Sequence, residues 1–422
     1  MNEAFNRQTA LRLDHDDPLA GCRERFHLPR RENGDEEVYL CGNSLGLQPL
    51  TAADYVQQEL EDWRLLGVKG HFAARNPWMP YHEFLTERTA RLVGALPDEV
   101  VTMNTLTVNL HLMMVTFYRP TPARHRILIE KPAFPSDRYA VESQIRFHGY
   151  DPAEALVELG PRPGETFLRM EDIEAAIARE GERLALVLFP GVQYYSGQAF
   201  DLARIVAAGH RVGARVGFDL AHAVGNVPLA LHESDADFAV WCNYKYMNGG
   251  PGAVAGCFVH ARHARDTNLP RFAGWWGHDK ATRFRMGPEF HPIPTAEGWQ
   301  LSNPPILSLA PLLASLAIFD EVGMPRLREK SLRLTGYLET LLRERLADRV
   351  EILTPADPAQ RGCQISLRIT HGDGRRTFER LEADGIVCDW REPDVIRAAP
   401  VPLYNRFMDC YRFVEALERA IE

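Results

Sequence analysis

Short runs of apolar residues, unbroken by alternating polar ones, recur between longer amphipathic stretches over residues 50–300 of the 422-residue chain. Strands that are apolar on both sides are typical of parallel sheets whose two faces are covered by helices. The pattern therefore predicts an α/β fold with a mostly parallel central sheet. The predicted strands are 126–130, 184–189, 215–218, 238–242 and 253–259, and the predicted helices are 52–66, 81–92, 107–118, 170–179 and 200–212.

The pattern changes after Pro305, where the predicted strands become shorter. A chain of this length exceeds the roughly 250–300 residues at which one hydrophobic core stops growing. We therefore predict a large domain over 51–310 and a smaller α+β domain formed by 1–50 together with 311–422, with no sharp boundary near 310. Its predicted helices are 309–319 (amphipathic), 324–346 and 376–383, and its predicted strands are 350–353, 364–369 and 385–389.

Composition excludes several classes of protein. The net charge is −9, whereas a dedicated nucleic-acid binder carries a basic surface. The seven cysteines form no C-x-x-C pair, so neither a disulfide framework nor a zinc ribbon is indicated. No apolar run approaches the ~18 residues of a membrane span, and the first residues lack the apolar segment of a secretory signal. We expect a cytoplasmic protein with no nucleic-acid, membrane or metal partner.

Three patterns imitate known sites. Gly42-Asn-Ser-Leu-Gly46 matches the G-x-S-x-G of serine hydrolases, but too few residues precede Ser44 to build the sheet that this motif requires. We expect a glycine-permitted turn or a substrate-binding turn instead. The glycines of 250–256 imitate a dinucleotide-binding loop, yet they lead into a predicted strand rather than a helix. His260 and His263 could share a helical face, but two isolated histidines more often face solvent than bind a metal.

The strongest constellation is an aspartate and a lysine that each follow a predicted strand. Asp219 ends the strand 215–218, and Lys245 follows the strand 238–242. The carboxyl ends of strands are where open α/β sheets bind ligands. Pyridoxal phosphate (PLP) needs this pair, a lysine for its aldehyde and a carboxylate to keep a proton on its ring nitrogen. The alternative is an aspartate that caps a helix and an exposed lysine.

Two further segments favour the cofactor. Thr107 lies at the predicted start of a helix, where free N–H groups and a hydroxyl bind phosphate well. The loop after strand 126–130 is stiffened by Pro132 and Pro135, and it could present Phe134 as a stacking face and Asp137 as a polar group. Core packing of Phe134 remains the alternative.

At this point the chain resembles the kynureninases, a family of fold-type I PLP enzymes of tryptophan catabolism. The resemblance spans nearly the whole chain. It implies the fold-type I PLP-dependent transferase fold and a homodimer with shared active sites. The matching segments include Gly42-Asn-Ser-Leu-Gly-Leu-Gln-Pro49, Gly70-His-Phe72, Leu106-Thr-Val-Asn-Leu-His111, Phe134-Pro-Ser-Asp137, Asn243-Tyr-Lys-Tyr246, Gly274-Trp-Trp-Gly277, Ser302-Asn-Pro-Pro-Ile306 and Val401-Pro-Leu-Tyr-Asn405.

Carried over by position, the resemblance implies a set of site residues. The catalytic ones are Lys245, as Schiff-base lysine and proton shuttle, Asp219 at the ring nitrogen, and Tyr244 in a proton transfer whose alternative is phosphate anchoring. Those that bind the cofactor besides these three are Leu106, Thr107, Phe134, Pro135, Ser136, Asp137, His222, Trp275 and Asn303. Those that bind the substrate are Ser44, His71 and Asn303 at its aromatic ring and Arg397 at its α-carboxylate, which a guanidinium fork fits bidentately.

The implied reaction is hydrolysis of L-kynurenine to anthranilate and L-alanine in tryptophan catabolism, and a role in NAD biosynthesis is the open alternative. We expect 3-hydroxykynurenine to be the weaker substrate. Pro190 departs from the family pattern, in which we expect a small polar residue, so any hydrogen bond from that position is in doubt. Two alternatives remain. One is another fold-type I enzyme such as a cysteine desulfurase, for which Cys363 would have to be a mobile nucleophile, and the other is a non-catalytic PLP-binding protein.

Overall fold

The computed structural model describes residues 6–421 of the chain. Within them, strands and helices alternate up to residue 259, and helices and antiparallel strands follow. The strands are β1 (Val38–Tyr39), β2 (Val100–Thr102), β3 (Arg126–Glu130), β4 (Leu156–Leu159), β5 (Leu184–Pro190), β6 (Arg215–Asp219), β7 (Phe238–Trp241), β8 (Gly256–Val259), β9 (Val350–Ile352), β10 (Ile365–Ile369), β11 (Ile386–Val387), β12 (Asp389–Arg391) and β13 (Val395–Ala398).

The α-helices cover both faces of the larger sheet and one side of the smaller one. They are α1 (Arg7–His15), α2 (Ala52–Leu66), α3 (Gly70–Ala73), α4 (Glu83–Val93), α5 (Leu106–Phe117), α6 (Pro135–Phe147), α7 (Pro152–Ala155), α8 (Met170–Glu180), α9 (Leu202–Arg211), α10 (Ala261–Ala264), α11 (Ile306–Val322), α12 (Met324–Leu346), α13 (Gly374–Ala383) and α14 (Phe407–Ala420).

Seven strands form one sheet in the order β2-β8-β7-β6-β5-β3-β4. The five from β7 to β4 are parallel, and β8 is antiparallel to both of its neighbours. The chain leaves β3 on one side to form β4 and returns on the other side to form β5. At such a switch point the crossover helices diverge and leave a crevice beyond the carboxyl ends of the strands. Glu130, Pro190 and Asp219 end three adjacent strands there.

The second sheet has four antiparallel strands in the order β12-β13-β10-β9. It lies within 311–422, whereas the seven-stranded sheet lies within 51–310. The segment before residue 50 joins the smaller unit, because β1 pairs in parallel with β11 and Arg23 forms an ion pair with Asp409 at 3.0 Å. The predicted domain boundary itself stays a prediction.

Three of the predicted elements differ clearly from the structure. Helix α11 is longer than predicted and is not amphipathic, since its apolar residues lie on every side. Nine of them, from Leu309 to Val322, are buried, and so is Ser315. The strand predicted at 253–259 begins only at Gly256. The strand predicted at 385–389 is two short strands that belong to different sheets, β11 and β12.

No single helix among residues 6–421 is both long and apolar enough to cross a membrane. Helices α11 and α12 pass that length and composition test only as a pair, and they meet at an 83° bend.

Candidate active site

Lys245 lies in the loop after β7, at the carboxyl edge of the seven-stranded sheet. Its Nζ lies 2.9 Å from Nε2 of His222 and 5.9 Å from the ring centres of both Phe134 and Tyr244. Asp219 ends the neighbouring strand β6 and is buried. The structure therefore brings the predicted lysine and aspartate together, as their strand-end positions suggested.

Backbone contacts from distant segments hold the lysine loop. The N–H of Gly46 donates to the carbonyl of Tyr244 at 2.8 Å, and the N–H of Gly249 donates to that of Asn243 at 2.8 Å. Asn243 in turn donates from Nδ2 to the Val254 carbonyl at 2.6 Å. A Cβ on Gly46 would lie 2.3 Å from the Lys245 carbonyl oxygen, so only glycine permits this contact.

The turn 42–46 is thus a brace for the lysine loop. The G-x-S-x-G motif of serine hydrolases needs a strand before the serine and a helix directly after it. Here residues 42–44 form a turn, and no helix begins between this turn and Ala52. The expectation of a glycine-permitted turn is confirmed. The glycines of 250–256 likewise lead into β8 and not into a helix, so the dinucleotide-loop reading stays excluded.

Three carboxyl groups lie together in the crevice. Burial raises the pKa of Asp137 well above its usual range, and the charges of Asp219 and Glu130 add to that rise. Burial also raises the pKa of Asp219, although the Ala221 N–H and Lys245 oppose the shift. The interaction between the two carboxyl groups raises the pKa of Asp137 and lowers that of Asp219, so Asp219 is the more readily ionised of the two. Burial raises the pKa of Glu130 to about 8.

His222 is held neutral next to the lysine. Its burial, and then the positive charge of Lys245, lower the pKa of the imidazole well below its usual range. The Nε2 atom therefore accepts from the lysine ammonium, and the ring proton lies on Nδ1. No described residue accepts a hydrogen bond from that Nδ1, which leaves a buried donor free for a ligand.

Two helices begin at the same rim of the crevice. Helix α5 starts at Leu106 and α6 at Pro135, and the hydroxyl groups of Thr107 and Ser136 lie 2.9 Å apart. The free N–H groups and the dipoles of both helices therefore face the same part of the crevice, where the two hydroxyl groups also lie. Such a donor set suits a phosphate dianion.

Arg397 lies behind the crevice in β13 and is 1% exposed. Its Nη1 donates to the carbonyl of Tyr194 at 2.7 Å, and its Nη2 lies 2.8 Å from Oδ2 of Asp389. The ring of Tyr194 meets that of Phe134 edge to face at 5.3 Å. Arg397 thus adjoins the residues around Lys245 without lining the crevice directly.

Most of the predicted cofactor residues line one cavity, but six predicted residues do not: Pro135, Arg397 and four others. Ser44 is half-buried in its turn, His71 contacts Trp78, Trp275 packs on Phe284, and Asn303 is exposed. The residues that line the cavity are Leu106, Thr107, Glu130, Phe134, Ser136, Asp137, Pro190, Val192, Tyr194, Asp219, Ala221, His222, Tyr244 and Lys245.

Sequence reasoning missed Glu130, Val192, Tyr194 and Ala221. Glu130 ends a predicted strand at the same sheet edge as Asp219, and that shared position was a usable signal. Pro190 lines the cavity where a small polar residue was expected, so that position brings no N–H and no hydroxyl.

The cysteine required by the desulfurase alternative lies outside this cavity. Cys363 is fully buried, and burial raises the pKa of its thiol to about 12. A nucleophilic cysteine has to be a thiolate and has to reach the substrate, and Cys363 meets neither condition.

Comparison with known proteins points in one direction. Residues 327–417 match the family model described as the kynureninase C-terminal domain. The chain is 61% identical over 406 residues to a kynureninase of Koribacter versatilis, covering 96% of each chain. It is 59% identical over 420 residues to a kynureninase of Stenotrophomonas maltophilia, covering 99% of each.

Solved structures confirm the predicted fold type. A cysteine desulfurase from Escherichia coli matches with a TM-score of 0.77 at 17% identity, covering 95% of this chain and 98% of that one. A cystine C-S lyase matches with a TM-score of 0.75 at 18% identity, covering 90% and 97%. At such identities the likeness concerns the fold alone.

Proposed function

The chain belongs to the kynureninase family, and from that premise we propose that the crevice around Lys245 hydrolyses L-kynurenine to anthranilate and L-alanine. The observation that carries the assignment to this crevice is the 2.9 Å contact between Lys245 Nζ and a neutral His222, beside the buried Asp219. The enzyme uses PLP, as its family does.

The residues of the crevice fit this cofactor. The converging starts of α5 and α6, with Thr107 and Ser136, would hold the phosphate. Asp219 would hold the proton on the ring nitrogen, and the unpartnered Oδ1 of Asp137 and Nδ1 of His222 are buried polar atoms that a ligand could satisfy. When bound, PLP withdraws electrons from the carbon next to the substrate amine.

Each side chain then has a task of its own. Lys245 would bind the cofactor aldehyde and, once free, move the proton at the substrate α-carbon. Phe134 would stack on the cofactor ring. Burial and then Cys242 raise the pKa of the Tyr244 hydroxyl, so it keeps its proton and acts as a donor, at either the γ-carbonyl or the phosphate.

The reaction adds one water across a carbon–carbon bond. Oxygen from water bonds to the γ-carbon of kynurenine, and the bond between the β- and γ-carbons breaks. The electron pair of that bond stays on the alanine part, where a proton completes the methyl group. Arg397 would bind the α-carboxylate, and Ser44, His71 and Asn303 would face the aromatic ring.

We further propose a cytoplasmic homodimer in which a second copy completes the site. His71, Trp275 and Asn303 lie outside the cavity of their own chain. Large apolar side chains are exposed close to these residues in sequence, which favours coverage by another chain. They are Trp63, Leu65, Val68, Phe72, Phe272, Phe284 and Met286.

The test of the function is fluorescence of released anthranilate when the PLP-loaded protein meets L-kynurenine, with 3-hydroxykynurenine in parallel. We expect both to be cleaved and kynurenine to be faster. Lys245→Ala should abolish release, and so should Lys245→Arg, which keeps the charge but not the reactive amine. Normal turnover by either variant would refute the assignment of Lys245, and sulfide release from cysteine without kynurenine cleavage would favour a desulfurase.

A further inference from the structure

Arg397 and Asp389 face each other across two antiparallel strands. Their Cα atoms are register partners in the pairing of β12 with β13. Asp389 Oδ1 accepts from Nε of Arg397 at 3.2 Å, and Oδ2 lies 2.8 Å from Nη2. Both residues are buried, with 1% and 9% of their surface exposed. A pair so enclosed fixes the plane of the guanidinium.

These contacts leave one side of the guanidinium available. A guanidinium offers two edges with paired N–H groups, the side edge of Nε and Nη2 and the end edge of Nη1 and Nη2. Asp389 occupies the side edge. Tyr194 takes a single N–H of Nη1, and no described residue other than Asp389 contacts Nη2. One hydrogen on Nη1 and one on Nη2 therefore remain for a carboxylate at the end edge.

The charges around the pair also suit a single carboxylate. Arg391 Nη2 lies 3.1 Å from Oδ2 of Asp389, so one carboxylate is shared by two guanidinium groups. The three side chains together carry one net positive charge. The α-carboxylate of an amino acid would neutralise it.

We propose that Asp389 is a positioning residue, which holds the side edge of Arg397 and thereby presents the end edge to the substrate α-carboxylate. The proposal rests on the proposed function, because it takes Arg397 as the carboxylate-binding residue. Asp389 does not touch the substrate. Its effect is on the orientation of Arg397 and therefore on substrate affinity.

Asp389→Asn tests this proposal, because a positioning role and a purely electrostatic role change KM in opposite directions. The substitution removes a negative charge, so a purely electrostatic role predicts tighter binding of a carboxylate and a lower KM. A positioning role predicts a higher KM, by about tenfold or more, with kcat within about threefold, because a misplaced guanidinium loses its bidentate contact. An unchanged or lower KM would overturn the proposal.

Decarboxylated kynurenine, which keeps the amine and the aryl ketone, separates positioning from general damage. Its affinity, measured by competition, should be the same in Asp389→Asn as in the unsubstituted enzyme. An equal loss for both ligands would mean that the variant distorts the whole site, and would refute the proposal. PLP absorbance and thermal melting verify that the variant is folded and loaded.

Glu351→Gln is the matched control. It removes a carboxylate from an arginine pair on the same sheet, 2.9 Å from Arg368, and should leave KM unchanged. Failures of the two proposals are distinguishable. If the unsubstituted enzyme does not cleave kynurenine, the proposed function fails. If it does but Arg397→Ala leaves KM unchanged, the role of Arg397 fails, and with it that of Asp389.

Discussion

Three carboxyl groups share a crevice with one lysine, and their protonation decides what the crevice can bind. Like charges that water does not screen cannot all be present at neutral pH. Interaction with Asp219 adds to the raised pKa of Asp137, and burial raises the pKa of Glu130 to about 8. Asp219 is therefore more readily ionised than Asp137, and a carboxylate is the state needed next to a protonated ring nitrogen.

Glu130 makes the cofactor-free protein less stable as pH rises. Its pKa is about 4.3 in an unfolded chain and about 8 when folded, so between these values only the folded state holds the proton. Stability then falls by up to roughly 1.4 kcal/mol per pH unit over that window. Glu130→Gln should remove this loss, so that melting temperatures at pH 6 and 8 differ less than in the unsubstituted protein. Glu154→Gln, on the surface, should leave the difference as it is.

The residue scale also shows where sequence reasoning stops. Lys245 and Asp219 could be predicted because each follows a recognisable strand. Arg397 was known only through the resemblance, and Asp389 was not considered, because the segment 385–389 was taken as one strand. A side chain that acts by holding another has no pattern of its own in a single sequence.

At the scale of elements, the lysine loop depends on a turn that lies about 200 residues earlier in the chain. Gly46→Ala places a Cβ 2.3 Å from the backbone oxygen of Lys245. Because this is a backbone atom, the clash is relieved only if the lysine loop shifts. We expect kcat/KM to fall by about 100-fold, since a displacement of about 1 Å costs that much. The PLP absorbance spectrum should change with it.

Gly336→Ala is the control for that variant. Gly336 lies inside α12, with open space where a Cβ would be, so alanine should stabilise the helix by about 1 kcal/mol and leave activity unchanged. Full activity of Gly46→Ala would show that the turn does not position the loop.

Elements were predictable where periodicity was unambiguous. Strand β3 and helices α2 and α12 have the predicted bounds. Helix α11 was taken as shorter and amphipathic, because an all-apolar helix between two packed layers has no polar face to reveal its period. Strand β13 was missed, since its four buried residues include Arg397.

At the scale of the molecule, a buried ionic cluster forms around Asp237, which lies at the amino end of β7 in the larger sheet. Burial opposes the charge of Asp237, but hydrogen bonds from His210, His263, the Val216 N–H and Arg262 lower its pKa far below the usual range. A lowered folded pKa gives stability that is fully present above the unfolded value of about 3.9 and is lost progressively as pH falls from there towards the folded pKa.

Asp237→Asn should therefore destabilise the protein at pH 7 by about 3–5 kcal/mol, as removal of one partner from a buried ion pair does. The difference from the unsubstituted protein should shrink below pH 4, measured by urea unfolding. Asp172→Asn removes a carboxylate from a surface pair with Arg162 and should change stability little. Equal losses of stability in the two variants would mean that the burial of Asp237 does not increase its contribution to stability.

The exposed apolar side chains near His71 and Trp275 give a prediction about assembly. We expect sedimentation to show a dimer. Phe72→Glu should weaken it and lower activity in parallel, because it places a charge where a second chain would pack. Full activity in a monomer would contradict a shared site.

The pairing of residues near 40 with residues near 400 bears on how the enzyme is made. Ribosomes deliver the early segment long before its partners, yet the Leu40 carbonyl accepts from Ala399 and the Tyr39 carbonyl from Asn405. These two hydrogen bonds, next to the turn that contacts the lysine loop, can therefore form only after both partners have been synthesised. A nascent chain halted before residue 399 already contains every strand of the seven-stranded sheet but lacks these two hydrogen bonds. We therefore expect activity to appear only late in synthesis, and incomplete chains to be inactive.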